Sequence, residues 1–307
     1  MFGIQAAGYW QGWPGLLCAQ ERRLGKEIRL LQIGHGYWGS KLLERFTGLV
    51  GAKNIWLAEL DSAKVPVYFD GTRLGSNYEN MLYMVDACVV ATPISTHYEI
   101  AKKCLEAGKH VLLEKPMATK SLQAWELMRI AQSKNLTFMV DDTFLYSERL
   151  QDIHTPSNMY YQMINPPVVG KHFNAEWSNW KEHLPPEGLW WTLGPHPVSV
   201  MLRYFIEKLP NQVRVVEASP WVIHVWYKFL DGEAQILLNW LNPLKRRMVN
   251  HVEFGSLDAP GSDALSNVCS EFIGRIEHPW WVDLHSARVV MVMEWTQKRL
   301  EYENPPD

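Results

Sequence analysis

Gly108-Lys109-His110-Val111-Leu112-Leu113-Glu114-Lys115-Pro116, reached from Ala91-Thr92-Pro93-Ile94-Ser95-Thr96-His97 through a helix-like stretch, decides how this chain is read. Lys109–Leu113 reads as a strand, and its Val111-Leu112-Leu113 end is apolar without alternation, as in a strand of a parallel sheet. It ends on a carboxylate and an amine, Glu114 and Lys115, ahead of a turn proline. Upstream, Asp86–Ala91 has the same character. Between them Ile100, Ala101, Cys104 and Leu105 form one apolar stripe, so a helix is expected from Thr96. Thr96 with Glu99 has the spacing of a capping box, and Gly108 is placed to end the helix.

Working outward, the first half alternates strand and helix. Glu27–Ile33 reads as a strand and Trp38–Leu49 as a helix; Asn54–Leu60 and Val65–Phe69 read as further strands. Ser121–Ser133 reads as a helix and Thr137–Val140 as the last strand. This order implies a doubly wound α/β parallel sheet with right-handed crossovers. Between the first strand and first helix lies Gly34-His35-Gly36-Tyr37-Trp38-Gly39. In that context the first glycine allows the tight turn and the second lets backbone approach a pyrophosphate. The third lets helix and strand pack closely, and the helix N-terminus offers N–H groups to phosphate. Acids follow at about 20 residues, where a carboxylate accepts hydrogen bonds from a ribose and repels a 2′-phosphate. Glu59 is the first choice and Asp61 the second. NAD is therefore favoured over NADP, with only Lys64 arguing the other way.

After about residue 147 the pattern becomes α+β. Val169–Trp177, Val213–Ala218, Trp221–Phe229, Ala234–Leu241 and Met248–Phe254 read as strands. Pro197–Leu209, Ala264–Ile276 and Asp283–Leu300 read as helices, and Glu301–Asp307 as a loose tail. In Trp221–Phe229 the set Trp221, Ile223, Val225, Tyr227, Phe229 alternates with Val222, His224, Trp226, Lys228, which implies a mainly antiparallel sheet with one packed face. The expected organisation is an N-terminal extension over 1–27, a dinucleotide-binding domain over 28–147 and a substrate-binding and oligomerisation domain over 148–307.

Composition narrows the function classes. Apolar residues make up 47% and charged residues 21%, as in ordinary soluble domains. A net charge of −3 gives no reason to expect nucleic acid or an acidic membrane as partner. The one tight basic cluster, Lys245-Arg246-Arg247, reads as a solvated turn. Cys18, Cys88, Cys104 and Cys269 form no CxxC pair, so free thiols in a reducing, cytoplasmic setting are expected and no metal site is. Residues 1–27 lack the basic start of a secretory signal and contain Pro14. Most of the 15 tryptophans are expected in the core, although Trp177, Trp180, Trp190 and Trp191 could stack on a ring-shaped ligand.

The glycine motif, Ala91-Thr92-Pro93 with Thr96-His97, and Glu114-Lys115-Pro116 together resemble the glucose-fructose oxidoreductase / inositol 2-dehydrogenase (Gfo/Idh/MocA) superfamily over residues 28–147. Asp142-Thr143-Phe144-Leu145-Tyr146 resembles its sugar-nucleotide 3-dehydrogenase branch, and Leu193-Gly194-Pro195-His196 extends the resemblance into the second half. The resemblance implies an N-terminal Rossmann sheet, a C-terminal open sheet that forms homo-dimers or homo-tetramers, and an NAD(P)-dependent oxidoreductase. Hydride would pass between nicotinamide C4 and a carbon of a sugar, sugar nucleotide or polyol. It also implies that Lys115 polarises the reacting oxygen and His196 relays the proton. Gly34, His35, Gly36, Tyr37, Trp38, Gly39, Ala91, Thr92, Pro93, Thr96, His97 and Glu114 would line the cofactor site, with Glu59 and Asp61.

Two departures stand out. The acid often found four residues before this histidine is Thr192 here, and the acid that follows it in the sugar-nucleotide branch is Pro197. Asp142, Tyr146, Tyr160 and Asn179 are the candidate substitutes near the substrate. Without an acid to steady a general base, carbonyl or imine reduction is better supported than alcohol oxidation. An imine or carbonyl reductase of secondary metabolism and a non-catalytic dinucleotide-binding scaffold are the alternatives.

Overall fold

The computed structural model describes residues 27–67, 69, 71–147, 150, 158–164, 188–206, 208–241, 246–250, 252–253, 264–276 and 284–303. The expected strand Val169–Trp177, together with Asn179, Trp177, Trp180, Lys245 and nearly all of the N-terminal extension, lies outside the described residues.

Six parallel strands form the first sheet: β1 (Leu30–Ile33), β2 (Ile55–Ala58), β3 (Leu74–Gly75), β4 (Ala87–Val90), β5 (His110–Glu114) and β6 (Phe138–Asp141), in the order β3-β2-β1-β4-β5-β6. The order reverses between β1 and β4, which opens a crevice at the carboxyl ends of the strands. Three helices follow their strands: α1 (Tyr37–Val50), α2 (Ile94–Glu106) and α3 (Ser121–Ser133). Alternate strand residues reach opposite faces. Leu31, Ile33, Cys88, Val90, Val111, Leu113 and Val140 pack with α2 and α3, whereas Leu30, Ala87, Val89, Leu112 and Met139 pack with α1.

The second sheet has the order β12-β11-β7-β10-β9-β8. Its strands are β7 (Asn158–Ile164), β8 (Gln212–Ala218), β9 (Val222–Phe229), β10 (Gly232–Asn239), β11 (Arg246–Val249) and β12 (Val252–Glu253). Only β7 and β10 pair in parallel; the other pairings are antiparallel. As expected from its alternation, β9 buries Ile223, Val225, Tyr227 and Phe229 and leaves His224, Trp226 and Lys228 half-exposed. The buried face packs on helices α4 (Gly188–Leu193), α5 (Pro195–Tyr204) and α7 (Leu284–Glu303).

Helices from the second half also complete the first core. In α6 (Ala264–Ile276), Leu265, Val268, Cys269, Phe272 and Ile273 join the α1 face of the first sheet. In α7, Ala287 and Val290 join the opposite face, while Val289, Val292 and Met293 join the second core. Both the backbone N–H and hydroxyl of Ser121 donate to Glu294, which ties α3 to α7. The change of pattern near residue 147 thus separates the two sheets but not the two cores.

Several expectations need correction. Val65–Phe69 is not a strand: Pro66 interrupts it and Val67 is fully exposed, and the edge position is taken by Leu74–Gly75. Thr96 does not cap α2, which begins at Ile94 after Pro93; the Thr96 hydroxyl instead donates to the Pro93 carbonyl. Gly108 does end that stretch with φ +75°. Met248–Phe254 is two short strands, β11 and β12, and α7 runs to Glu303, so Glu301–Glu303 are helical.

Phe272 offers a direct test of the shared core. It is fully buried, with its ring edge-on to Phe46 of α1 at 6.2 Å between centroids. Phe272→Ala should destabilise the fold by about 3–5 kcal/mol in urea unfolding, because the cavity lies between two elements that cannot collapse together.

Candidate active site

The glycine loop is built for close approach. Gly34 has φ +88°, and a Cβ there would lie 2.6 Å from the Ala91 carbonyl oxygen. A Cβ on Gly39 would lie 2.5 Å from the Gly34 carbonyl oxygen, so α1 can sit against β1 only without one. The Gln32 amide locks the arrangement by donating to the carbonyls of Gly34 and Gly39. Gly36 differs: a Cβ there would meet nothing within 4 Å, so its backbone faces open space. Gly36 is also the N-cap of α1 and no side chain caps that end, which leaves first-turn N–H groups to serve an anion. The buried Nδ1 of His35 has no hydrogen-bond partner. Burial holds the His35 imidazole below its usual pKa range. These features fit a dinucleotide.

Glu59 follows β2 directly. Its carboxylate accepts the His35 N–H at 2.6 Å and the Asp61 N–H at 2.9 Å, which pins the glycine loop to the end of β2. Asp61 is exposed, accepts the Ala63 N–H and lies 3.6 Å from the Lys64 amine. The cation that would have favoured a 2′-phosphate therefore has an acid beside it. Tyr37 is exposed at the start of α1, and the Trp38 indole donates to Asp141 at the end of β6.

Across the crevice, Ala91 closes β4 and its N–H donates to the Ile33 carbonyl. Thr92 and Thr96 join through their hydroxyls at 2.8 Å. His97 is buried, and its two ring nitrogens lie 2.8 Å from the carbonyl oxygens of Thr92 and Pro116. This one side chain joins the Thr92-Pro93 loop to the loop that carries Lys115.

Lys115 leaves the carboxyl end of β5, and its ammonium donates to the Thr192 carbonyl at the end of α4, at 3.0 Å. Desolvation lowers its pKa; Glu114, Asp141 and Asp142 oppose that shift, and Arg247 adds to it. Glu114 is buried, and burial together with the Asp141 carboxylate pushes it well above the usual carboxylate range, so its protonated form is favoured. Asp141 accepts from the Trp38 indole at 2.7 Å and the Thr143 hydroxyl at 2.5 Å.

His196 opens α5 one turn beyond Thr192. Its ring lies 4.2 Å from that of Phe144, and its Nδ1 is buried with no hydrogen-bond partner. Burial, then Lys115 and Arg247, hold its pKa well below the usual histidine range, so the neutral imidazole is favoured. The Thr192 hydroxyl donates to the Gly188 carbonyl, so it does not stand in for the missing acid; its main-chain oxygen holds Lys115 instead. Asp142 is buried within the charge field of Lys115, with a carboxylate oxygen 3.9 Å from His285. Tyr146 is half-buried and packs between the two cores.

Two residues in this cluster escaped the sequence reading. Arg247 is not in a solvated turn. It lies in β11 opposite buried Met163 of β7, and its guanidinium carbon is 5.0 Å from the Phe144 ring centroid. Had β11 been started two residues earlier, Arg247 would have shared the inward parity of Val249. Tyr161 is buried, and burial raises its phenol pKa; Arg247 opposes that shift and Asp142 adds to it. Tyr160, the residue expected near substrate, occupies the opposite face of β7 by alternation. Among the described residues no group of three His, Cys, Asp or Glu side chains could hold a metal, and no helix is long and apolar enough to cross a membrane.

Residues 28–142 match the model of the GFO_IDH_MocA family, described as an oxidoreductase family with an NAD-binding Rossmann fold. Over that stretch, which is the first sheet and its helices, the chain is similar to that family. The uncharacterized oxidoreductase YdgJ of Escherichia coli K12 is 27% identical over 212 residues, covering 64% of this chain and 59% of that protein. The chain thus spans less than two thirds of the curated relatives it matches first. UDP-N-acetylglucosamine 3-dehydrogenase GnnA from Acidithiobacillus ferrooxidans superposes with a TM-score of 0.72 at 17% identity, over 90% of this chain and 99% of that one. myo-Inositol 2-dehydrogenase from Lactobacillus plantarum does so with a TM-score of 0.74 at 15% identity, over 91% and 98%. At these identities the structural likeness establishes the fold alone.

The glycines of the loop separate by experiment. Gly36→Ala should leave the urea midpoint unchanged yet weaken NADH binding, measured by nicotinamide fluorescence, by roughly tenfold or more, equivalent to 1.4 kcal/mol. Gly39→Ala should lower both, since its methyl group meets backbone in the free protein.

Proposed function

We propose that this protein is an NAD-dependent oxidoreductase that interconverts a carbonyl and an alcohol on a sugar, sugar nucleotide or related ring. One observation carries the reading. The Lys115 amine emerges at the carboxyl end of β5, beside the strand-order reversal, and is anchored across the crevice by a helix of the second half, one turn from His196. The family match over the first sheet and the likeness of the whole fold to sugar-nucleotide and inositol dehydrogenases support it.

Nicotinamide, when bound, supplies or takes up the hydride. The rest falls to this chain's side chains. An oxygen that gains negative charge as its carbon accepts hydride is stabilised by the Lys115 ammonium in a site poor in water. Burial lowers the pKa of that amine, which makes it a better proton donor to the new alkoxide. His196 is neutral and resists protonation because two cations and burial oppose it. It therefore suits the role of hydrogen-bond partner and proton relay better than that of a strong base. The same balance favours reduction of C=O over oxidation of the alcohol, and extends to C=N. Glu114, Trp38 and Asp141 support the floor of the site, and the Thr92-Pro93 loop lines the nicotinamide side. The half-exposed outer face of the second sheet, with Trp226 and His224, is the surface proposed for pairing with a second copy.

Lys115→Ala should abolish NADH-dependent turnover of keto sugars to below about a hundredth. Lys109→Ala should retain it, since that amine is engaged with the Val85 carbonyl at the far end of β5. Equal loss in both variants would remove the assignment of the site.

Glu59→Ala should weaken NAD(H) binding more than NADP(H) binding, as read by fluorescence titration with both cofactors. Equal weakening would show that Glu59 only pins the glycine loop.

A further inference from the structure

Each reduction takes a proton from the Lys115 ammonium, so the amine must regain one before the next turnover. It stands at the carboxyl end of β5, where bound cofactor and substrate would exclude water. His196 is a poor source, since burial and two cations hold it neutral. Three acids act on Lys115. Glu114 and Asp141 face one another in the β5–β6 register, and Asp141 is engaged by Trp38 and Thr143. Asp142 is the third. It leaves the carboxyl end of β6 as Lys115 leaves that of β5, and it turns toward the second half. Its Oδ2 lies 3.9 Å from Nε2 of His285, in the first turn of α7. The same nitrogen is 2.8 Å from the hydroxyl of Ser199, a fully buried residue of α5 one turn beyond His196. The His285 side chain is 16% exposed and that of Asp142 9%, so His285 is the member of the pair nearer to solvent.

We propose that His285 returns the proton to Lys115 by way of Asp142. The inference rests on the oxidoreductase reading and adds the proton supply that a second turnover needs. His285 touches no reacting atom; it acts through the carboxylate. The steps move one proton and no electrons. The Lys115 ammonium gives its proton to the alkoxide formed when carbon accepts hydride. The His285 imidazolium protonates the Asp142 carboxylate, and the resulting acid protonates the Lys115 amine. Hydronium or a buffer acid then restores the imidazolium. Ser199 suits such a carrier. A hydroxyl both donates and accepts, so by rotating it accepts from the N–H of the charged ring or donates to the bare Nε2 of the neutral one. The imidazole thus keeps its place in both states, which a carbonyl or an ammonium neighbour would not allow. The 3.9 Å to Asp142 exceeds a hydrogen bond, and the attraction that closes it arises only when the ring is charged. The group is not a nucleophilic triad. Asp142 and Ser199 approach the same ring nitrogen, whereas a triad needs the acid on the other.

The test follows NADH-dependent reduction of two ring ketones, 3-keto-D-glucose and 2-keto-myo-inositol, by the full-length protein. In His285→Ala the first turnover, read by stopped flow with enzyme in excess, should match that of the wild type, because Lys115 starts charged. Steady-state kcat should fall by roughly tenfold or more, with KM for NADH unchanged. Added imidazole should restore kcat in His285→Ala, and should fail to do so when Asp142→Asn is added. His285→Gln keeps a polar group beside Ser199 but carries no proton at neutral pH. It should be as slow as His285→Ala, which separates a lost proton from a packing defect. A first turnover slowed as much as the steady state would mark a merely structural role and overturn the proposal. So would an unchanged kcat, a loss that imidazole leaves in place, or a rescue that survives Asp142→Asn. If NADH does not bind, or the wild type reduces neither ketone, the oxidoreductase reading falls and this inference with it. Reduction at a rate indifferent to His285 brings down the inference alone.

Discussion

The contact between the Lys115 ammonium and the Thr192 carbonyl governs the rest of the site. An amine taken out of water loses much of its solvation, and only a few oriented groups can restore it. Here one of them is a main-chain oxygen at the end of α4, where the helix dipole is negative. The bond therefore joins the end of α4 to the end of β5, and His196 lies one turn further on, in the field of the same amine. The packing of α6 and α7 on the first sheet holds the two halves together, and this bond sets the local register of Lys115 against α4.

The buried acids beneath Lys115 are arranged so that their charges do not simply cancel it. Glu114 and Asp141 stand opposite one another in the β5–β6 register. Two carboxylates so close cannot both ionise cheaply, and Asp141 has the better donors in Trp38 and Thr143. Glu114 is accordingly the one pushed toward its neutral form. The indole of Trp38 thereby links the first turn of α1 to the carboxylate pair beneath the amine.

Where the sequence was informative, a local pattern coincided with a burial constraint. The strands of the first sheet are apolar on both faces, and the glycine loop is dictated by contacts of 2.5 and 2.6 Å that no side chain could tolerate. The second half was less legible because its elements are short or serve two cores. Gly188–Leu193 has six residues, too few for a period of 3.6 to declare itself. β7 lies in the middle of its sheet, and its inward set Met159, Tyr161 and Met163 does alternate, but prolines on both sides make the stretch look like a loop. That omission cost the identification of Tyr161 and replaced it with its outward neighbour Tyr160. α6 was placed correctly from its stripe, yet nothing in a stripe says which sheet it will cover.

Arg247 shows a limit of a different kind. A run of three basic residues is ordinarily a solvated face, and Arg246 is indeed exposed. In a strand, however, neighbours diverge, so one member of such a run must turn inward whenever the strand is packed on one side. Whether that member is tolerated depends on what it meets. Buried among aliphatic residues it would be costly, whereas at the mouth of a crevice it finds an aromatic face and an oriented field. The Phe144 ring at 5.0 Å is one such partner, and it is a partner that a count of basic residues in the sequence cannot reveal.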